Sequence, residues 1–276
     1  MWTLAAKLVL TPTIVVATSL AGRRYGAAIS GWLVGLPLMS GPTIFFFAAE
    51  HGKRFAARAG VGSLSGTLGE AAFCLGWAGA ARRRSWPASV LAGSFCFAAV
   101  GLGAEALPLD QHLPVPLLPL AIGSLLVLVL ALRLLPHLEI EARPSMLAPR
   151  WELPARAVVA TGILLLLTGL ATVLGARLSG LLTVYPLYTA VLAGFAQRNE
   201  GPAAAIRVLR GLLLGLFSFV VFFFTLSSLL PRTTIAAAFA AALVLTLTVH
   251  AASLWPLRRA RRGWSPAPAT GHRDRR

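Results

Sequence analysis

Two stretches of this chain place helix-breaking prolines next to hydroxyl-bearing side chains, inside apolar sequence. They cover residues 35–43 and 185–189. Proline removes a backbone donor and glycine relaxes the constraint on φ, so both stretches predict interrupted helices. Within a membrane, protein or an aqueous cavity must satisfy the freed carbonyl groups. The interpretation we favour is a substrate site, and the alternative is a pair of packed proline kinks. The expected site residues are Pro37, Ser40, Gly41, Pro42, Thr43, Tyr185, Pro186, Tyr188 and Thr189.

Two ionisable residues lie deep in apolar sequence, where a charge costs about 2.5–3.5 kcal/mol at a helix centre. Glu70 is the deepest carboxylate, and we expect it to couple transport to a proton or a cation. The alternative is that Glu70 lies closer to the membrane interface. His250 is a second coupling candidate because imidazole titrates near neutral pH. Its alternative is a hydrogen-bonded structural residue.

Polar residues and a glycine close the apolar stretch after each proline. Glu50 and His51 precede Gly52, and Glu200 precedes Gly201. We expect Glu50, His51 and Glu200 to act as gating residues. A glycine just after a helix is also typical of a C-cap, which is the structural alternative.

The two proline regions belong to an internal repeat with a constant offset of 149 residues. Residues 26–66 and 175–215 align without a gap, and the matches include proline, arginine and a Gly-x-x-x-Gly pair. Gly62 and Gly66 correspond to Gly211 and Gly215, and such strips let helices approach another backbone closely. Many secondary transporters build a binding site near the middle of the membrane from internal repeats.

Composition places most of this chain in a lipid bilayer. Hydrophobic residues make up 57% and charged residues 12%, whereas a soluble domain carries about 25% charged residues. A helix needs about 20 apolar residues to cross a hydrocarbon core of about 30 Å. The sequence therefore predicts an all-α membrane protein with about nine transmembrane helices. The predicted spans are 3–21, 27–49, 59–81, 87–107, 114–134, 157–174, 178–196, 206–229 and 233–255.

The basic residues predict the orientation of these helices. With the N-terminus outside and the C-terminus in the cytoplasm, 19 of the 25 lysines and arginines lie inside, as the positive-inside rule requires. Lys53, Arg54 and Arg58 fall on the outer side and depart from that rule. The arginine-rich tail is expected to be disordered and to contact anionic lipids.

The offset pairs the first four predicted segments with the last four and leaves the fifth between them. Because four plus one is odd, the second copy enters the membrane from the opposite side, which predicts an inverted 4+1+4 repeat. The predicted divisions are repeat unit 1 (1–110), a linker helix (111–135), a cytoplasmic loop (136–156), repeat unit 2 (157–255) and a basic tail (256–276).

The sequence around the second proline resembles the GlpM-type family of small bacterial inner-membrane proteins. The likeness rests on the Pro-Leu-x-x run at Pro186, the apolar stretch after it, the Asn199-Glu200-Gly201 turn and the alanine-rich helix that follows. The first copy shares the pattern more loosely and departs from it at Pro42. The resemblance implies two four-helix units fused around a linker helix, and it implies no particular substrate.

These features favour a secondary transporter or flippase of the bacterial inner membrane, working by alternating access at the two proline breaks. The chain lacks the His-Glu-x-x-His, Gly-x-Ser-x-Gly and phosphate-loop motifs, so we expect no enzyme activity, cofactor or metal. The net charge of +16 arises between apolar segments, which favours membrane topology over nucleic-acid binding. The expected partners are the bilayer and an unidentified small solute or lipid-linked substrate, and a homo-oligomer is compatible with the sequence. The alternative function is a non-transporting scaffold or accessory subunit in cell-envelope or exopolysaccharide assembly.

Overall fold

The computed structural model is all-helical over the residues that it describes. These are residues 2–38, 40–106, 117–136, 151, 153–162 and 185–262. Their helices are α1 (Trp2–Tyr25), α2 (Ala27–Val34), α3 (Ser40–Glu50), α4 (Lys53–Ala81), α5 (Trp86–Ala106), α6 (Leu117–Leu134), α7 (153–162), α8 (Leu187–Glu200), α9 (Pro202–Leu229) and α10 (Ile235–Arg262).

Four of these helices, α5, α6, α9 and α10, are long and apolar enough to cross a membrane. They fit a membrane protein, as the composition predicts. Within their apolar windows 67% of α9 is buried, against 17% for α5 and 22% each for α6 and α10. The three peripheral helices turn large apolar side chains outward, including Phe95 (74% exposed) and Leu126 (64% exposed). An apolar surface of this extent suits contact with lipid tails rather than water.

The centre of the fold is formed by α4 and α9, which pack against each other. Around them, α9 also contacts α2, α6, α8 and α10, while α4 also contacts α3, α5 and α6. One continuous apolar core joins the two central helices, and its largest fully buried side chains include Phe73, Trp77, Phe222 and Phe223. Both central helices therefore hold the elements that carry the proline breaks.

The helix α2 approaches α9 at backbone distance because both carry glycines at the contact. A Cβ built on Gly35 would lie 2.5 Å from the Gly215 Cα, and one built on Gly211 would overlap the Ala28 carbonyl. The close-contact role predicted for Gly211 and Gly215 is confirmed. In α4, by contrast, Gly62 is exposed, and a Cβ there would meet no described atom within 4 Å.

Two of the predicted membrane spans lie inside helices that begin several residues before them. The helix α4 begins at Lys53 rather than 59, and α9 begins at Pro202 rather than 206. The preceding glycines explain both starts, because Gly52 (φ 87°) and Gly201 (φ 93°) adopt left-handed φ values that end one helix and allow the next to begin at once. The expected helix-ending role of these glycines is confirmed. Because both helices begin early, the basic residues near their starts lie on helices rather than in loops: Lys53, Arg54, Arg58, Arg207 and Arg210.

The basic tail is also corrected in part. A disordered segment was expected from residue 256, but α10 continues to Arg262. Alanine, leucine and arginine are strong helix formers, and arginines near a helix C-terminus interact favourably with the helix dipole. The remainder of the tail (263–276) lies outside the described residues, as do the predicted linker start, much of the 136–156 loop and residues 163–184 of the sixth and seventh predicted segments.

Candidate functional site

The first proline break separates α2 from α3, within the predicted second segment. The Leu38 N–H donates to the Leu36 carbonyl over 2.7 Å, which closes a γ-turn around Pro37. The Pro37 carbonyl then accepts a hydrogen bond from the Gly41 N–H at 2.9 Å, the first bond of α3. Pro37 itself is buried. The chain thus changes direction inside the protein, and the Pro37 carbonyl stays hydrogen-bonded.

The second break, before α8, has the same backbone pattern. The Leu187 N–H donates to the Tyr185 carbonyl over 2.7 Å, and the Pro186 carbonyl accepts from the Ala190 N–H at 2.9 Å. Pro186 has φ −75° and ψ 58°, values that define an inverse γ-turn. Each of these residues lies 149 positions after its counterpart in the first break. The repeated sequence therefore forms the same turn twice.

The side chains of the first break are unevenly placed. Gly41 is buried beside the Phe222 ring, whereas Pro42 is exposed. Ser40 is half-buried and begins α3, while the side chain of Thr43 lies outside the described part of the structure. Of the two hydroxyl-bearing residues predicted at this break, Ser40 is therefore the one whose side chain the structure describes.

The second break carries a more extensive polar and aromatic environment. The Tyr185 hydroxyl lies 2.8 Å from the Ser94 hydroxyl on α5. Its ring stands edge-on to Phe73, with ring centres 5.9 Å apart, and to Phe97, at 5.5 Å. These contacts fix Tyr185 between α4 and α5 with its polar end directed to a hydroxyl.

A further hydroxyl of the second break is enclosed without a described hydrogen-bond partner. Thr189 is fully buried, and its Oγ1 bonds to none of the residues that the structure describes. A buried hydroxyl without a hydrogen bond costs about 1–3 kcal/mol, so this group is suited to bond a ligand or a water. Tyr188, one residue earlier, is half-buried. Thr189 and Ser40 occupy equivalent positions of the repeat, two residues into α8 and at the start of α3.

A buried polar network close to the second break was missed by the sequence analysis. The Trp77 indole N–H donates to the Gln197 Oε1 at 2.9 Å, and the Gln197 Nε2 donates to the Ser89 Oγ at 3.1 Å and to the Arg84 carbonyl at 3.3 Å. Trp77 and Ser89 are fully buried. The predicted seventh span ended at residue 196, which put Gln197 outside the membrane segment. The sequence feature that could have predicted this network is the amide side chain of Gln197, which directly follows an unbroken apolar run.

Glu70 lies on α4 at helical spacing from two residues of this region. Phe73 follows it by three positions and Trp77 by seven, so the three share one side of the helix. Glu70 is half-buried, and no hydrogen bond or ion pair joins its carboxylate to a described residue. The structure therefore places an unpaired carboxylate on the side of α4 that contacts Tyr185 and α8.

His250 is held in a separate cluster between α2, α9 and α10. Its Nδ1 lies 2.8 Å from the Ser218 Oγ, and its ring stacks on Trp32 with ring centres 3.7 Å apart. The Trp32 indole N–H donates to the Ser253 Oγ at 2.8 Å. His250 is 3% exposed, and its Nε2 makes no hydrogen bond to a described residue. One imidazole nitrogen thus bonds to Ser218, and the other is buried without a described partner.

The predicted gating residues lie at helix ends, as expected from the sequence. His51 is exposed and stacks on Phe55, with ring centres 5.0 Å apart. Glu200 is also exposed and lies 3.9 Å from the Arg207 guanidinium. The Glu50 side chain is outside the described part of the structure. The described contacts are those of helix-end residues, and they leave a gating role as a prediction.

The structure distributes the predicted site over two places. Gly35 sets the first break against α9, while Tyr185 sets the second break against α4 and α5. The helices α2 and α8 do touch. The contacts of the Tyr185 ring and hydroxyl are with α4 and α5 rather than with the first break. The second break, with Glu70 on the same side of α4, is the better-formed candidate site.

In the described residues, no group of three or more His, Cys, Asp or Glu side chains is arranged to hold a metal ion. The chain matches no protein-family model, and no curated protein or solved structure was found to be similar to it. The site is therefore interpreted from its own geometry.

Proposed function

We propose that this protein is a secondary transporter or flippase of the bacterial inner membrane, built as an inverted repeat. The proposal rests on the repeated turn around Pro37 and Pro186. Each turn directly precedes the start of a helix and places a hydroxyl-bearing residue at the beginning of that helix. The helix starts support it as well. The helices α4 and α9 begin 149 residues apart, and so do α5 and α10.

Two contacts of α4 support the inversion, one with the turn that follows α9 and one with α9 itself. The Lys53 Nζ donates to the Thr233 carbonyl at 3.0 Å, and a Cβ built on Gly60 would contact the Ser227 side chain. Residue numbers rise along α4 as they fall along α9, so these repeat-related helices run antiparallel. A repeat of parallel topology would need them to run in the same direction, whereas an inverted repeat relates them by a two-fold axis in the membrane plane.

The substrate site in this proposal lies at the second break. The hydroxyl groups of Tyr185, Ser94 and Thr189 offer hydrogen bonds to a polar solute or headgroup, and Glu70 offers a carboxylate that no described cation neutralises. Glu70 is the proposed coupling residue, since an unpaired carboxylate in a membrane helix is expensive and marks ion or proton pathways. His250 is the proposed second coupling residue, because its buried Nε2 bonds to no residue in the described part of the chain.

In this proposal the site opens by movement of the helix ends at the two breaks. Glu50, His51 and Glu200, at the C-terminal ends of α3 and α8, act as gates. The predicted orientation, with the N-terminus outside and the C-terminus in the cytoplasm, belongs to the same proposal, and so does the likeness to GlpM-type proteins. The substrate class within it is a small solute or a lipid-linked molecule.

Cysteine accessibility tests this proposal without knowledge of the substrate. Single cysteines replace Ser40 and Thr189 in a Cys74→Ala/Cys96→Ala background, and a membrane-impermeant thiol reagent is applied to right-side-out and inside-out vesicles. The Thr189 side chain is fully buried in this structure, so reaction there requires the site to open. Alternating access predicts that the cysteines at positions 40 and 189 react from both sides of the membrane.

Two exposed positions serve as matched controls for sidedness. Ala49→Cys lies near the end of the first repeat-related helix, and Arg198→Cys, 149 positions later, lies near the end of the second, so an inverted repeat predicts reaction from opposite faces. Protection of Ser40→Cys and Thr189→Cys from both sides, while both controls react, would overturn transport and favour the scaffold alternative. Reaction of both controls from the same face would overturn the inverted topology instead.

A further inference from the structure

A cavity of about 540 Å³ lies where α4 and α6 end side by side. It is distinct from both proline breaks. Its apolar walls and its charged rim come from consecutive turns of α4 and from the end of α6. The lining residues are Leu75, Ala78, Gly79, Arg82, Arg83, Leu134 and Pro136.

The charge of this cavity is positive. Arg82 and Arg83 are exposed, and within the described structure no hydrogen bond or ion pair engages either guanidinium. Among the described residues that line the cavity, none is acidic. Arg133, in the last turn of α6, directly precedes the lining residue Leu134. An anion entering here would meet two cations that no described carboxylate neutralises.

The other residues that line the cavity are apolar, and α6 lies at the outer surface of the helix bundle. Only 22% of α6 is buried, and Leu134 at its end is 59% exposed. The neighbouring Leu135 is buried, and its carbonyl accepts a hydrogen bond from the Arg210 guanidinium at 3.1 Å, which ties the end of α6 to α9. The end of α6 is therefore held against α9. The apolar groove between α4 and α6 meets the basic rim where the apolar residues of α4 are followed by Arg82 and Arg83.

We propose that this cavity binds one anionic phospholipid of the surrounding leaflet. The headgroup phosphate would lie between Arg82 and Arg83, and an acyl chain would follow Leu75 and Leu134 along the groove between α4 and α6. Basic pockets between membrane helices are suited to anionic headgroups, and Arg matches phosphate oxygens with paired donors. The bilayer supplies such a lipid at high local concentration, which favours this occupant over a soluble anion.

Native mass spectrometry of the purified full-length chain tests the site, with phosphatidylglycerol, phosphatidylcholine of the same chains, and inorganic phosphate as probes. The wild-type chain is expected to retain one phosphatidylglycerol in preference to the other two. Each arginine near an anionic headgroup contributes about fivefold in affinity, so Arg82→Ala/Arg83→Ala should weaken binding about 30-fold. Arg54→Ala/Arg58→Ala, two exposed arginines at the other end of α4, should leave it unchanged.

A second variant tests the cavity separately from the charge. Gly79 lines the cavity, and a Cβ there would meet no atom of a described residue within 4 Å. Gly79→Leu therefore fills the groove, keeps both arginines and improves helix propensity, and it should also weaken phosphatidylglycerol binding. Unchanged binding in Gly79→Leu would overturn the proposal, as would equal binding of phosphatidylcholine, tighter binding of free phosphate, or an equal loss in the control pair. If the double arginine variant does not fold, Gly79→Leu decides alone.

Discussion

Replacement of Gln197 by leucine would test whether the buried network near the second break holds α8 onto α4 and α5. The Gln197 Oε1 accepts the only described hydrogen bond of the Trp77 indole N–H, and Trp77 is fully buried. The other two partners are less dependent on Gln197. Ser89 also donates to the Ser85 carbonyl at 3.2 Å, and the Arg84 carbonyl lies in an exposed turn that water can reach.

The expected loss follows from that difference. Leucine has nearly the size of glutamine, so little cavity forms, and the main cost is the unpaired indole N–H in a dry environment. A buried donor left without a partner costs about 1–3 kcal/mol. Hydrogen bonds between membrane helices average nearer 0.6 kcal/mol in double-mutant cycles, with a maximum of about 1.7. We therefore expect Gln197→Leu to lower the free energy of unfolding by about 1–2 kcal/mol.

The assay is a double-mutant cycle with Trp77→Phe, measured as unfolding of the purified protein in mixed detergent micelles. Phenylalanine removes the indole N–H together with buried volume, and the volume loss occurs in both arms of the cycle and cancels. The two replacements together should be less harmful than the sum of the single ones, by about 0.6–1.7 kcal/mol. Asn199→Leu, an exposed neighbour on the same helix, is the control and should have little effect.

Additive effects would refute this reasoning. If the coupling energy falls below about 0.3 kcal/mol, which is the usual limit of additivity for independent sites, the hydrogen bond between Trp77 and Gln197 does not stabilise the fold. The position of α8 would then depend on apolar packing and on the hydrogen bonds of Gln197 to Ser89 and Arg84.

Two further predictions compare matched positions. Gly211→Ala should destabilise the protein by about 1–3 kcal/mol because its methyl group overlaps the α2 backbone. The same replacement at its repeat counterpart, Gly62→Ala, should be neutral or stabilising by up to about 1 kcal/mol. Equal effects of the two replacements in the same unfolding assay would contradict the close contact of α2 with α9. Ser218→Ala should cost about 1–3 kcal/mol by leaving both His250 nitrogens unpaired. Ser228→Ala in the same helix, whose hydroxyl donates to a carbonyl of its own helix, should cost less than about 0.5 kcal/mol, and similar losses in the two serine variants would argue against the His250 contact.

The helical class, the membrane-compatible apolar spans and the two interruptions follow from the sequence itself. They depend on local properties: apolar runs of sufficient length, the missing N–H of Pro37 and Pro186, and the left-handed φ that Gly52 and Gly201 permit. The constant offset of 149 residues also predicts that the same turn forms twice. Local sequence predicts such features because neighbouring residues determine them.

The partners of each element were decided only by tertiary structure. Nothing in the sequence distinguishes Gly211, which touches α2, from its repeat counterpart Gly62, which is exposed. The pairing of Trp77 with Gln197 and of His250 with Ser218 joins residues 120 and 32 positions apart. Contacts of this kind depend on how helices cross, and helical periodicity gives the side that a residue occupies but not the helix that packs against it.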